Sequence, residues 1–205
     1  MIITEKKQLE DIEKYLVKSK PLFIVGCAAC ATKCRTGGEK EVSELNDTLK
    51  KRGYDVAGFA VIDTPCDSRI VSRDIISKIK DINSMQLLVC ACGSGAQTIH
   101  EVTDVNVVSA LNTVFIGSTE RIGKIKEFCQ ACGECRLNDN EGYCAATRCP
   151  KGMQNAPCGG VVDGKCEVNP KNDCIWYRIY KKKKSLGGYK AIKGFAKSKR
   201  IINNK

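Results

Sequence analysis

The region from Cys129 to Cys174 constrains this chain more than any other, because it holds eight of the chain's 14 cysteines. It opens with the spacing Cys129-x2-Cys132-x2-Cys135. That spacing lets three thiolates on one tight loop reach adjacent irons of a cubic iron–sulfur cluster. Eight cysteines supply two complete four-thiolate sites. We therefore predict as metal ligands Cys129, Cys132, Cys135, Cys144, Cys149, Cys158, Cys166 and Cys174.

Disulfides and zinc are the alternatives for this cysteine-rich region. The N-terminus, Met1 to Lys7, lacks the apolar run and cleavage site of an export signal, so we expect a cytoplasmic protein without a disulfide scaffold. Zinc competes better, since paired cysteines also build zinc ribbons. His100 is the only histidine, which leaves all-thiolate zinc against iron–sulfur. The cysteine triplet favours iron–sulfur for at least one site and leaves zinc open for the other.

Five cysteine motifs follow one another in a fixed order along this region. They are Cys129-Gln-Ala-Cys132-Gly-Glu-Cys135 with Cys144, Cys149-Pro150-Lys151-Gly152, Pro157-Cys158-Gly159-Gly160, Gly164-Lys165-Cys166-Glu167 and Cys174-Ile175-Trp176-Tyr177-Arg178. Together they resemble the C-terminal cysteine-rich domain associated with methylenetetrahydrofolate reductases. The N-terminal half is also similar to that family, and the whole chain is most similar to its MetV-type small subunits. The completion of the triplet departs from the bacterial ferredoxin pattern, because the Cys-Pro pair comes only at Cys149-Pro150.

The resemblance implies a function in electron transfer. In that family the small subunit is an iron–sulfur protein that pairs with a flavin-containing large subunit, which holds the folate site. We therefore expect clusters that relay electrons to the partner's flavin, where methylenetetrahydrofolate is reduced to methyltetrahydrofolate. A ferredoxin or another electron-donor protein is a further candidate partner. Two alternatives stay open: a zinc-stabilised structural subunit of that complex, and an iron–sulfur relay for another flavoenzyme such as a hydrogenase or heterodisulfide reductase assembly.

The positive charge of the chain is concentrated at its C-terminal end. The formal net charge is +11, but residues 181–205 contribute ten Lys or Arg and no acid. The remainder therefore carries 24 basic and 23 acidic residues, a net charge of +1. This distribution predicts a basic tail on a nearly neutral body and gives no sign of a nucleic-acid-binding face. No apolar run approaches the roughly 20 residues that span a bilayer, so we expect no membrane insertion.

Strand and helix patterns alternate through the first part of the chain. A helical pattern over residues 5–19 precedes strand patterns at 22–25, 56–62 and 87–89, with helical stripes between them, and short runs at 105–111 and 114–117 complete the predicted sheet. Alternation of this kind favours an α/β fold with a Rossmann-like parallel sheet. The predicted organisation is an α/β domain over residues 1–120, a cysteine-rich iron–sulfur or metal module over 121–180, and a basic tail over 181–205.

The other six cysteines fall in the loops that follow three predicted strands. Because ligands bind beyond the carboxyl ends of parallel strands, we expect a second cluster there. We take Cys27, Cys30 and Cys34 as its first three ligands and prefer Cys92 as the fourth. Buried cysteines also behave as small hydrophobes, which could account for some of them. The six candidate cofactor ligands are Cys27, Cys30, Cys34, Cys66, Cys90 and Cys92.

Several binding fingerprints are missing from the sequence. No G-x-G-x-x-G follows the first predicted parallel strand, so the pattern does not indicate NAD or FAD binding. A P-loop is also absent. A thioredoxin-type Cys27-x2-Cys30 dithiol is a weaker reading than a cluster, given the extra cysteines nearby. His100 lies on a predicted helix, where a packing role is expected.

Overall fold

The computed structural model of the chain describes residues 1–121 and 123–187. The chain divides into two compact units, Met1–Ile125 and Lys126–Lys205. Of the predicted tail over 181–205, the part from 188 onward lies outside the described residues. Within the described ranges, no helix combines the length and apolar character needed to cross a bilayer.

The described elements alternate between strand and helix in the first unit and become sparse in the second. In chain order they are β1 (Ile2–Lys6), α1 (Leu9–Glu13), β2 (Leu22–Cys27), α2 (Cys30–Cys34), α3 (Glu39–Lys51), β3 (Val56–Ile62), α4 (Ser68–Val71), β4 (Gln86–Cys90), α5 (Gly93–Thr103), β5 (Val107–Ser109), β6 (Leu111–Arg121), β7 (Lys124–Cys129), α6 (Ala145–Arg148) and α7 (Ile175–Ser185).

Four of these strands form the predicted parallel sheet, which confirms the α/β class. Their order is β3-β2-β4-β5, and every neighbouring pair is parallel. The two central strands are buried apolar runs, as expected of strands covered on both faces. Their fully buried residues are Leu22, Ile24, Val25, Leu87, Leu88 and Val89.

The apolar stripe in the sequence of helix α3 correctly predicts its buried face. Val42 and Leu49 lie on its apolar stripe and are fully buried. At its N-terminus, the backbone N–H of Gly38 donates to Glu41 Oε2 at 3.1 Å, so the Glu41 carboxylate closes the first turn.

Two expectations for the first unit are wrong. Residues 5–19 form the end of β1 and the short helix α1 instead of one long helix. The run at 114–117 does not join the parallel sheet: it belongs to β6, which pairs antiparallel with β1 in a second sheet of order β1-β6-β7, with Ile3 opposite Phe115. Since Ile3 and Phe115 are far apart in the sequence, no local pattern could reveal that pairing.

The second unit is built around a small hydrophobic cluster between α6 and α7. Its buried residues are Ala145, Ile175, Trp176 and Ile179. The indole N–H of Trp176 donates to the carbonyl oxygen of Met153 at 3.0 Å, which attaches α7 to the preceding loop. Cys149 and Cys174 pack against this cluster. The thiol-bearing loops therefore depend on very little apolar core.

Gly37 holds the loop before α3 against the end of β4. Its carbonyl accepts from the Cys27 N–H at 2.9 Å, and a methyl group at Gly37 would overlap the Cys90 carbonyl. We expect Gly37→Ala to lower the free energy of unfolding by about 1–3 kcal/mol, because backbone must shift to admit the methyl group. Gly93→Ala is the control, since its nearest new contact would be the Thr113 hydroxyl at 3.3 Å. Anaerobic urea unfolding measures both, and equal stability of the two variants would contradict the expectation.

Candidate metal centres

The parallel sheet brings three cysteine-bearing loops to one edge. Cys27 is the last residue of β2 and lies opposite Ile62, the last residue of β3. Gly26 lies opposite Cys90 at the end of β4. Because β2 is the central neighbour of both strands, the loops that carry Cys66 and Cys92 emerge on either side of Cys27. The sheet order also changes direction at β2, the kind of point where α/β sheets bind ligands.

Backbone contacts hold these loops together. The Ala28 N–H donates to the Ile62 carbonyl at 2.9 Å, and the Thr32 hydroxyl donates to the Cys27 carbonyl at 2.7 Å. Gly95, in the first turn of α5, packs so closely on Pro65 that an added Cβ would lie 3.1 Å from its ring. The loop that carries Cys66 therefore packs directly against the helix that follows Cys92.

Four thiols at this edge influence one another electrostatically. Although part of Cys66 is exposed, burial raises the pKa of its thiol. The thiols of Cys92, Cys27 and Cys30 raise that pKa further, as neighbouring negative charges do. Cys92 is also the N-cap of α5, so it lies at the positive end of the helix dipole. We refer to Cys27, Cys30, Cys66 and Cys92 as the N-terminal thiol group.

Cys34 and Cys90 lie apart from this group. The Cys34 thiol contacts the carbonyl oxygen of Ile2 in β1 at 3.6 Å. Cys90 is 2% exposed, and burial raises its pKa to about 12. Its surroundings include Lys6 and Glu41, with which it lines a separate cavity. Of the six cysteines predicted for this site, the four whose thiols are linked by electrostatic interaction with Cys66 are therefore Cys27, Cys30, Cys66 and Cys92.

The eight cysteines of the second unit line two separate cavities, four in each. A cavity of about 120 Å³, which we call the first cavity, is lined by the cysteines of the x2-x2 triplet and the next one in the chain. A cavity of about 30 Å³, the second cavity, is lined by the remaining four. The two sets are Cys129, Cys132, Cys135 and Cys144, and Cys149, Cys158, Cys166 and Cys174.

The loop of the triplet is wound tightly around the first cavity. Ala131 and Gly133 have positive φ values of 53° and 83°, which turn the chain sharply on both sides of Cys132. The Ala131 N–H donates to Cys129 Sγ at 3.3 Å, the type of bond that stabilises a ligating sulfur. Much of the rest of the lining is apolar, including Phe128, Leu137, Ala145 and Ala146.

The second cavity is closed by a short hairpin-like segment. The Cys166 N–H donates to the Asn172 carbonyl at 3.0 Å, and the Cys174 N–H donates to the Gly164 carbonyl at 2.8 Å. The Cys158 thiol lies 3.8 Å from Glu167 Oε1, and that carboxylate also pairs with Lys151. These contacts keep the four thiols near one another without a disulfide, since every cysteine is free.

Helix α6 links the two cavities. Cys144 is its N-cap and lines the first cavity, whereas Cys149 is its C-cap and lines the second. The Cys144 thiol contacts the Thr147 hydroxyl at 3.6 Å. One helical turn therefore carries one thiol of each set.

The thiols of the two cavities surround open space and do not converge on a single point. Over residues 1–121 and 123–187, no group of three or more histidine, cysteine or acidic side chains is positioned to hold one metal ion directly. His100 has the expected structural role, because its Nδ1 hydrogen-bonds the Val105 carbonyl at 3.0 Å. The four-thiol arrangement suits groups that occupy volume or that draw thiolates inward on binding.

One side-chain arrangement in the second unit was not predicted. The guanidinium of Arg148 lies over the rings of Phe128 and Tyr143, at 5.2 and 5.6 Å from their centroids. Arg178 lies over the same Tyr143 ring at 5.2 Å. Phe128 and Arg178 are far in the sequence from Tyr143 and Arg148, so no spacing rule could have identified the whole stack.

Comparison with known proteins gives one match. Residues 108–201 match the family described as "Methylene-tetrahydrofolate reductase C terminal". That range contains all eight cysteines of the two cavities. No curated protein and no solved structure matches the chain significantly.

Proposed function

Because residues 108–201 match the methylenetetrahydrofolate reductase C-terminal family, we propose that the chain is the iron–sulfur electron-transfer subunit of a methylenetetrahydrofolate reductase complex. In this proposal a partner subunit holds the flavin and the folate site. The present chain supplies the partner with electrons for the reduction of methylenetetrahydrofolate to methyltetrahydrofolate.

The separation of twelve cysteines into three groups of four is the observation that carries this proposal. Each group contains the number of thiolates that a four-iron cluster or a closed zinc site requires. Two groups surround their own cavities, and the third stands at the carboxyl edge of the parallel sheet. A purely structural module would not need a thiol group on the α/β unit, which already has an extensive apolar core.

We assign four-iron clusters to the N-terminal thiol group and to the first cavity. When bound, such clusters accept and donate single electrons at potentials set by their surroundings. The chain contributes the means to set them: the Ala131 N–H bonded to Cys129, the apolar walls of the first cavity, and the N-terminus of α5 beside Cys92.

We assign zinc to the second cavity. At about 30 Å³ it has a quarter of the volume of the first, room for only two or three water-sized spheres. Four thiolates without histidine, set in tight turns, form the ligand set of a closed structural zinc site. Zinc there would fix Cys149 and Cys174 at the two ends of the small core around Trp176.

The loop after β2 supports a division of functions in which the flavin and the single-electron carriers lie on different subunits. In nucleotide-binding α/β domains this position carries a glycine-rich turn that approaches a pyrophosphate. Here the loop reads Gly26-Cys27-Ala-Ala-Cys30, and thiols occupy the place of the phosphate-binding turn. The proposal therefore gives the flavin and the folate chemistry to the partner and the single-electron carriers to this chain.

We expect anaerobically purified protein to be brown and to contain about eight irons, about eight acid-labile sulfides and about one zinc per chain. Metal analysis by mass spectrometry and a colorimetric sulfide assay measure these contents. Co-purification with a flavoprotein that reduces methylenetetrahydrofolate tests the partner.

Three other outcomes would each refute a different part of the proposal. Protein rich in zinc and devoid of sulfide would refute the electron-transfer function and support a structural subunit. About twelve irons without zinc would refute only the assignment of zinc to the second cavity. Reduction of methylenetetrahydrofolate by this chain alone, free of flavin, would refute the division of functions.

A further inference from the structure

A broad basic groove runs along the second unit, outside the two thiol-lined cavities. Its volume is about 700 Å³. Five basic side chains line it, against two acidic ones, Glu127 and Asp173. The basic residues are Lys126, Arg148, Lys165, Lys171 and Arg178.

The two arginines of this groove are held in place by aromatic rings, and Asp173 interacts with Arg178 only at longer range. Arg148 is half-buried and stacks on Phe128 and Tyr143, while Arg178 stacks on Tyr143 from another position. Within the described part of the chain neither guanidinium forms an ion pair, whereas Lys165 pairs with Asp173 at 2.7 Å. Two preorganised guanidinium groups without a carboxylate are suited to receive one from outside.

The groove also shares walls with both cavities. Phe128 and Thr147 line the groove and the first cavity. Arg148, Pro150 and Ile175 line the groove and the second cavity. A protein seated in the groove would therefore lie directly against the walls that enclose the thiols, close to a cluster in the first cavity.

We propose that this groove is the docking site for the acidic surface of the protein that delivers electrons to this chain. The inference rests on the function proposed above and names the side from which electrons enter. The groove is much larger than a single carboxylate group. Its charged side chains belong to α6, α7, β7 and the loop at Lys171. Planar guanidinium forks match protein carboxylates, and the exposed lysines around them would steer an acidic partner into place.

Binding of a small acidic two-cluster ferredoxin, used as the probe under anaerobic conditions, tests the proposal. Two variants remove groove charge: Arg148→Gln/Arg178→Gln takes away the stacked pair, and Lys126→Gln/Lys171→Gln takes away exposed cations with little risk to folding. The control is Lys40→Gln/Lys51→Gln, which loses the same charge from exposed positions on α3 in the first unit. Calorimetry at low and high salt measures the Kd, with a decaglutamate peptide as competitor, and surface plasmon resonance measures the association rate.

We expect the arginine variant to bind the ferredoxin at least about tenfold more weakly than the control, and the lysine variant to show a slower association and a weaker salt dependence. Decaglutamate should compete with the ferredoxin for the parent protein. Iron content and activity with a small dye donor in the reductase complex should stay at control levels, because a dye needs no docking surface. These two measurements separate a failure of docking from a failure of the proposed function.

Three results would overturn the docking proposal. The first is ferredoxin affinity in both groove variants equal to that of the control. The second is loss of the reductase subunit, and not of the ferredoxin, in the groove variants. The third is tighter binding of a single-stranded oligonucleotide than of the ferredoxin, with the same variants affected, which would assign the groove to nucleic acid.

Discussion

Replacing Cys66 with alanine is expected to remove about four irons and four sulfides per chain, whereas Cys34→Ala should leave both contents unchanged. Both variants remove the sulfur atom of a cysteine in the first unit. They differ in surroundings, because the Cys66 thiol faces Cys92, Cys27 and Cys30 while the Cys34 thiol contacts the Ile2 carbonyl. A three-thiolate site loses a whole cluster more readily than a four-thiolate site.

Iron, sulfide and the low-temperature electron paramagnetic resonance spectrum of the reduced protein measure this difference. The signal of one cluster should disappear in Cys66→Ala and persist in Cys34→Ala. The opposite pattern, with iron lost only in Cys34→Ala, would show that the cluster is ligated by the triplet Cys27, Cys30 and Cys34. Iron retained in both variants would remove the N-terminal thiol group from the metal sites altogether.

Cys132→Ala should lower ferredoxin-driven reduction of methylenetetrahydrofolate by the complex at least about 100-fold. Loss of an outer-shell partner alone typically costs about 10–100-fold, and Cys132 is proposed as a direct ligand. It stands at the centre of the triplet loop, between the turns at Ala131 and Gly133, so no neighbouring thiol can replace it without rewinding the loop. The measurement is steady-state turnover with reduced ferredoxin as the donor.

The control for this variant is the same complex assayed with a dye that reduces the flavin directly. Activity with the dye should match that of the parent complex, because the partner's flavin site is untouched. Cys90→Ala serves as a matched cysteine replacement, since its thiol lies apart from all three groups. Full ferredoxin-driven activity in Cys132→Ala would exclude the first cavity from the electron path.

The sequence predicted the parallel sheet because its signals are local. Each of the two central strands is a short apolar run with turn residues on both sides, and the helix over Glu39–Lys51 has an apolar stripe of the correct period. The second sheet was missed for the opposite reason. Its pairing joins β1 to β6 across almost the whole first unit, and the charged and polar residues of β1 hide its strand character.

That missed strand also bears on Cys34. By spacing alone, Cys27, Cys30 and Cys34 resemble a ligand triplet, and Cys30 and Cys34 are the first and last residues of one short helix. The Cys34 thiol contacts β1, an element that the sequence pattern did not predict. The position of Cys66 follows from the parallel pairing of β2 and β3, which places its loop beside Cys27. The proposed exchange of Cys34 for Cys66 as a ligand therefore rests on tertiary pairing, which spacing alone does not reveal.

Helix α6 has a consequence for how the second unit acquires its metals. Cys144 and Cys149 stand at the two ends of a single turn, Ala145–Arg148, and face different cavities. Under the proposed function, loading either site would fix that turn and so hold a thiol in position for the other, and we therefore expect the two sites to fill cooperatively. A cell short of iron would then accumulate chains with both sites vacant in place of half-filled ones, and quality control would meet one kind of defective subunit.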